Sequence, residues 1–131
     1  MVASPNGNPD GSCLAGVPAG GMPADVSQPT TVVGTGTAAS CTFDALDAAV
    51  SAGGVITFDC GPDPITIAVT RTLNLPLMKD TVIDGANKVT LDGGDSVQIL
   101  RFDSPNFQAL ETRVTIQHMA FKHGAIAGSM P

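Results

Sequence analysis

From Gly53 to Gly94 the chain never runs more than a few residues without a breaker: GGVITFDCGPDPITIAVTRTLNLPLMKDTVIDGANKVTLDGG. Between the Gly, Pro, Asp and Asn stops lie runs rich in Val, Ile and Thr, the residues that suit a pleated, half-buried surface. Val55–Asp59, Ile65–Val69 and Leu73–Leu75 make a first group of strands, and Thr81–Asp84, Lys88–Leu91 and Val97–Phe102 a second. Arg113–His118 and Met119–Lys122 open a third. Within a run the side chains alternate: Val55, Thr57 and Asp59 oppose Ile56 and Phe58, and Val89 and Leu91 share one face. Each run is too short to make an independent sheet. The starts recur, Val55 then Thr81 and Ile65 then Lys88, at a step of roughly 20–30 residues, the length of one solenoid repeat. Asp103–Thr112 lengthens the next step and reads as a projecting loop. The same lengths allow a small antiparallel sandwich. Against it, no two-residue hairpin joins consecutive runs, since Asp84-Gly85 is followed by Ala86-Asn87 before the next strand.

The core of such a structure must be aliphatic, because the chain has five Phe and neither Tyr nor Trp. Stacking of sugars or bases on exposed Tyr or Trp is therefore excluded. Charge is uneven. Asp10, Asp25, Asp44, Asp47, Asp59 and Asp63 precede the first basic residue, Arg71, and no basic stripe follows, so nucleic acid is not an expected partner. No apolar run approaches the ~20 residues of a membrane span. No signal peptide is visible, so an exported protein would have lost it or would be represented here by an excised piece. Cys13, Cys41 and Cys60 form no CxxC pair, and with only two His a structural zinc site is not expected. A disulfide between two of the three is the better reading and implies an oxidising compartment, secreted or at the cell surface.

Two units are expected. Residues 1–33 read as a leader crowded with Gly and Pro, which cannot bury enough apolar surface to offset the entropy of ordering, with Val32-Val33 as a first short strand. Residues 34–131 form the domain. It begins with a helix on which Phe43, Leu46 and Val50 share a face, Ser40 or Thr42 caps the start, Asp44 sits in the first turn, and Gly53-Gly54 ends it.

Gly34–Ile67 (GTGTAASCTFDALDAAVSAGGVITFDCGPDPITI), then TVIDGANKVTLDGG and VTIQHMAFKHG, resemble the N-terminal section of right-handed parallel β-helix proteins of the pectate-lyase-like superfamily. Bacterial exported and surface proteins of that group are the most similar. The resemblance covers Gly34–Gly124 and implies an all-β, right-handed parallel β-helix of about three rungs with an N-terminal capping α-helix. Such proteins commonly continue for many more rungs. In this arrangement Phe43, Leu46 and Val50 would cover the first rung, and a Cys41–Cys60 bridge would tie helix to rung, at about 3 kcal/mol in the chain-entropy view. Cys13 pairing with either remains an alternative. The opposite end shows no comparable plug, so a homo-oligomer closing the C-terminal rung is expected. The implied function is structural: a capping, self-associating piece of an exported protein.

No catalytic motif stands out from ordinary turn chemistry. Asp84, Asp92 and Asp95, with Asp80, follow successive strands, where converging carboxylates could hold Ca²⁺; Asp before Gly is equally the chemistry of a turn. Ser129 with His118 or His123 and an Asp such as Asp84 offers the ingredients of an ester-hydrolase triad, though Ala-Gly-Ser-Met-Pro lacks a nucleophile elbow. His118 and His123 are read as lying on opposite faces of a continuous strand, as surface residues rather than partners. Asp84, Asp103 and Glu111 are candidates for a carboxylate pair acting on glycosides. The alternative function is thus a small carbohydrate-active enzyme, polysaccharide lyase or glycosidase, or an ester hydrolase. A third is a carbohydrate-binding surface.

Overall fold

The computed structural model describes residues 22–104 and 111–126. Thr31–Val33 is strand β1. A single 3-10 turn at Ala38–Ser40 leads into helix α1, Phe43–Ala52. Thr42 caps the helix, its hydroxyl accepting the Ala45 N–H at 3.1 Å, and Gly53 ends it with φ 73°. There follow β2 (Gly54–Phe58), β3 (Ile65–Ala68), β4 (Leu73–Asn74), β5 (Thr81–Asp92), β6 (Leu100–Arg101) and β7 (Val114–Lys122).

Every strand pairing is parallel. β1 pairs with β2, and β2 with the first half of β5. β3 pairs with the second half of β5, and β7 runs along the whole of β5 on the other side. β4 and β6 form a separate two-stranded sheet.

The expected all-β right-handed parallel β-helix of about three rungs is not what these residues form. The described chain is one five-stranded parallel sheet, one two-stranded sheet and a helix, not a closed coil of three-strand turns. The expected strands Thr81–Asp84 and Lys88–Leu91 are one strand of 12 residues. The reason is the backbone between them. Ala86 and Asn87 take φ 54° and 62°, and a Cβ on Gly85 would lie 2.6 Å from the Cβ of Met119 and 2.8 Å from the His118 carbonyl oxygen. A residue without a side chain lets β7 come close enough to continue the ladder through what the sequence shows as a turn.

Parallel register stacks like on like. Ile56, Ile83 and Ile116 form one column, and Ile67, Leu91 and Phe121 another. Helix α1 closes one side of the core with Leu46, Ala49 and Val50, packing on β1 and β4. Beside it Cys41 and Cys60 form a disulfide with Cα atoms 5.7 Å apart. Gly34, at φ 98°, lies against this bridge, where a Cβ would collide with the Cys41 sulfur and the Asp59 carbonyl oxygen. Arg71 ties the outer face of α1 to the chain before β4. Its guanidinium lies 2.7 Å from Asp47 and 4.9 Å from the centre of the Phe43 ring.

Candidate functional site: two aspartate–histidine pairs between neighbouring strands

The β5–β7 register places Asp84 opposite Gln117 and Asp92 opposite Lys122. The next residue along the chain is in each case a histidine, His118 within β7 and His123 just past its end. In a regular strand that next side chain would point to the other face. Here His118 has φ 57° and His123 φ 55°, and each ring turns back to its aspartate. His118 Nδ1 lies 3.2 Å from Asp84 Oδ2, and His123 Nδ1 lies 3.0 Å from Asp92 Oδ1. Left-handed backbone is uncommon outside glycine, though His is among the residues enriched there.

Asp84 is the better enclosed of the two, with 8% of its side chain exposed. Its Oδ1 accepts the Ala86 N–H at 2.7 Å, and its Oδ2 accepts Gln117 Nε2 at 2.8 Å as well as the His118 ring. Burial alone would raise its pKa. The hydrogen bonds from Gln117, Ala86 and His118 outweigh burial and hold it below the ordinary carboxyl value. Asp92 is also held low, first by the Gly94 N–H at 2.8 Å and then by His123, with Lys122 Nζ 4.0 Å away.

An ionised carboxylate only accepts, so Nδ1 of each histidine must donate. In the neutral ring the lone pair then sits on Nε2, the arrangement of a general base or a metal ligand. His118 opens on a surface trough of about 500 Å³ lined by Pro64, Asn87, Lys88, Thr90 and Met119 among others. The trough follows from the ladder irregularity: Gly85–Lys88 on β5 oppose His118 alone on β7.

The structure thus brings Asp84 to His118 and Asp92 to His123. Asp95 is apart from both, on a left-handed turn (φ 58°), with its N–H donating to the His123 carbonyl oxygen at 2.8 Å. Asp80 caps the start of β7, its Oδ1 accepting the Arg113 N–H at 2.8 Å, and Asp103 pairs with Arg101 at 2.7 Å. Ser129 and Cys13 lie outside the described residues. Among the described residues no three His, Cys, Asp or Glu side chains gather as a cation site would require. Gln117 is a further residue of the site, with no local motif to mark it. Its signal is positional: it is the outward neighbour of Ile116 on the strand that completes the Asp84 column.

No protein-family profile, curated protein or solved structure matches this chain. The described residues define a disulfide-linked domain of parallel sheets, in which no helix is long and apolar enough to cross a membrane.

Proposed function

We propose that this chain is a structural module of a secreted or cell-surface protein and that it self-associates through strand β7. One observation carries the reading. Ile56 and Ile83 are both 0% exposed, and Ile116, the next in their column, is 40% exposed. Ile67 and Leu91 are 4% and 0% exposed, and Phe121 after them is 41%. Two dry columns reach solvent at β7, whose only pairing among the described residues is with β5. An edge strand carrying the end of an apolar core invites another strand, and a second copy supplies one. The disulfide supports an oxidising compartment.

Size-exclusion chromatography with light scattering, with and without reductant, tests the reading. A dimer or larger species that persists in reductant, and reverts to monomer in Ile116→Lys and Phe121→Lys variants, is expected. A strict monomer across a concentration series, with β7 amides already protected, would sink it.

A second reading, catalysis on esters or glycans, has the Asp84–His118 pair in its favour, with His118 lining an open trough. Turnover of a chromogenic ester or of a glycan panel, abolished in His118→Ala and reduced in Asp84→Asn, would support it. Saturable glycan binding without turnover would favour a binding surface instead.

A further inference from the structure

The segment before β1 does not trail into solvent but crosses the sheet. Thr30 N–H donates to the Val55 carbonyl oxygen at 2.8 Å, and Val55 N–H donates to Thr30 Oγ1 at 3.1 Å, which anchors the segment to β2. Six positions earlier, Ala24 meets β7. Its N–H donates to Gln117 Oε1 at 2.8 Å, and its carbonyl oxygen accepts from Gln117 Nε2 at 3.2 Å. β5 lies between β2 and β7, so the segment passes over two strand spacings, roughly 10 Å. A straight run of that length would reach about 20 Å. The slack is taken up by a turn in which Ser27 N–H donates to Asp25 Oδ1 at 2.9 Å.

Gln117 therefore gives one donor and one acceptor to the backbone of a single residue. That is the hydrogen-bond pattern of a strand bridge, and it reads extended peptide whatever its side chains. Asp84 fixes the carboxamide by accepting from the same Nε2. Beside the contact is a groove walled by Met22, Pro23 and Ala24 of the segment together with Asp80, Val82, Arg113 and Thr115.

The geometry points to an arm-exchange site. The site at Gln117 binds extended peptide, is occupied by Ala24 and its neighbours of the same chain in the monomer, and is occupied by the same residues of a second copy in the associated form. This rests on the self-association reading above and names the segment that is traded. Two features favour exchange. The arm is shallowly held, with Met22 58% exposed. The Gln28-Pro29 step between groove and β1 is restricted to extended backbone, which suits an arm that reaches outward. Swapping restores the same two hydrogen bonds in the partner, so opening carries little net cost.

The test uses the full chain in a Cys13→Ser background, one preparation carrying Met22→Cys and another Thr115→Cys. The two are mixed at high concentration, separated from monomer and oxidised. A covalent heterodimer joining the two chains is the expected product, and Gln117→Ala is expected to weaken the dimer at least tenfold. A dimer by light scattering that gives no cross-chain bond, or is untouched by Gln117→Ala, overturns arm exchange and leaves self-association standing. A monomer at every concentration overturns both.

Discussion

At the scale of the residue, Asp84 does more than any other side chain outside the core. It holds the Gly85–Lys88 bend through Ala86, the arm through Gln117, and His118 in one tautomer. Its removal strands three donors, one of them a backbone N–H beside a buried carboxyl site. Asp84→Ala should lower stability by about 1–3 kcal/mol, the cost of leaving enclosed polar groups unmet, as read from urea unfolding. The acid branch follows from the same contacts. A carboxyl whose folded pKa is depressed adds stability that is fully present above its unfolded pKa, near 3.9, and is lost as pH falls through the folded value. Asp84 and Asp92 both belong to this class. Stability should therefore fall from about pH 5 downward, and the loss should be smaller in Asp84→Asn than in the parent chain. An acid titration of the unfolding midpoint with identical slopes for the two proteins would contradict this account. The aspartates were visible in the sequence as candidates, but their histidines were not visible as partners. Strand alternation sends His118 and His123 to the wrong face, and the left-handed backbone at each brings the rings back.

At the scale of the element, α1 was legible almost to the residue. Thr42, Phe43, Leu46, Val50 and Gly53 are local signals of cap, face and stop, and they need nothing from elsewhere in the chain. Leu46 is fully enclosed where α1 meets the core. Leu46→Ala should cost about 2–5 kcal/mol, since the surrounding strands cannot collapse onto the space left. A thermal unfolding midpoint within a degree or two of the parent would show that α1 is not the lid of this core. The short strands β2 and β3 were legible as well, from Val-Ile-Thr runs between Gly and Pro. β5 was not. Asp84-Gly85 carries the local signature of a turn, and nothing local reveals that β7 passes close over Gly85 and keeps the ladder whole. The closed three-strand coil expected from the recurring runs failed at this point, because sequence spacing reports where strands start and not which of them fuse.

At the scale of the whole molecule, the two sides of the core are unlike. One has a helix and a disulfide beside its edge strand β1; the other ends on β7, where Ile116 and Phe121 reach solvent. Breaking the covalent tie with Cys41→Ser and Cys60→Ser should cost about 2–4 kcal/mol, measured as a drop in the unfolding midpoint. Because β5 stands between the bridge and β7, and the bridge touches neither Ile116 nor Phe121 in their columns, that loss should leave any dimer made through β7 with an unchanged association constant. A dimer that weakens in step with the double variant would mean that the two sides communicate.

The all-parallel pairing has a consequence for how the chain comes apart. Among the described residues no strand is bound to its sequence neighbour through a hairpin, so a strand can leave only by breaking a long-range ladder, and an edge strand leaves more readily than an inner one. β1, β3 and β7 each have one partner strand among the described residues, but β1 is held by α1 and β7 carries the exposed ends of both apolar columns, so opening should start at β7, spread to β5, and reach β2 and the disulfide last. The molecule would then unzip in one direction, and amide exchange rates would fall in that order along the stack. A second copy seated on β7 would sit at the point where unzipping begins. It would slow the loss of the whole domain by blocking its first step, so the lifetime of the native state, more than its equilibrium stability, would rise with protein concentration.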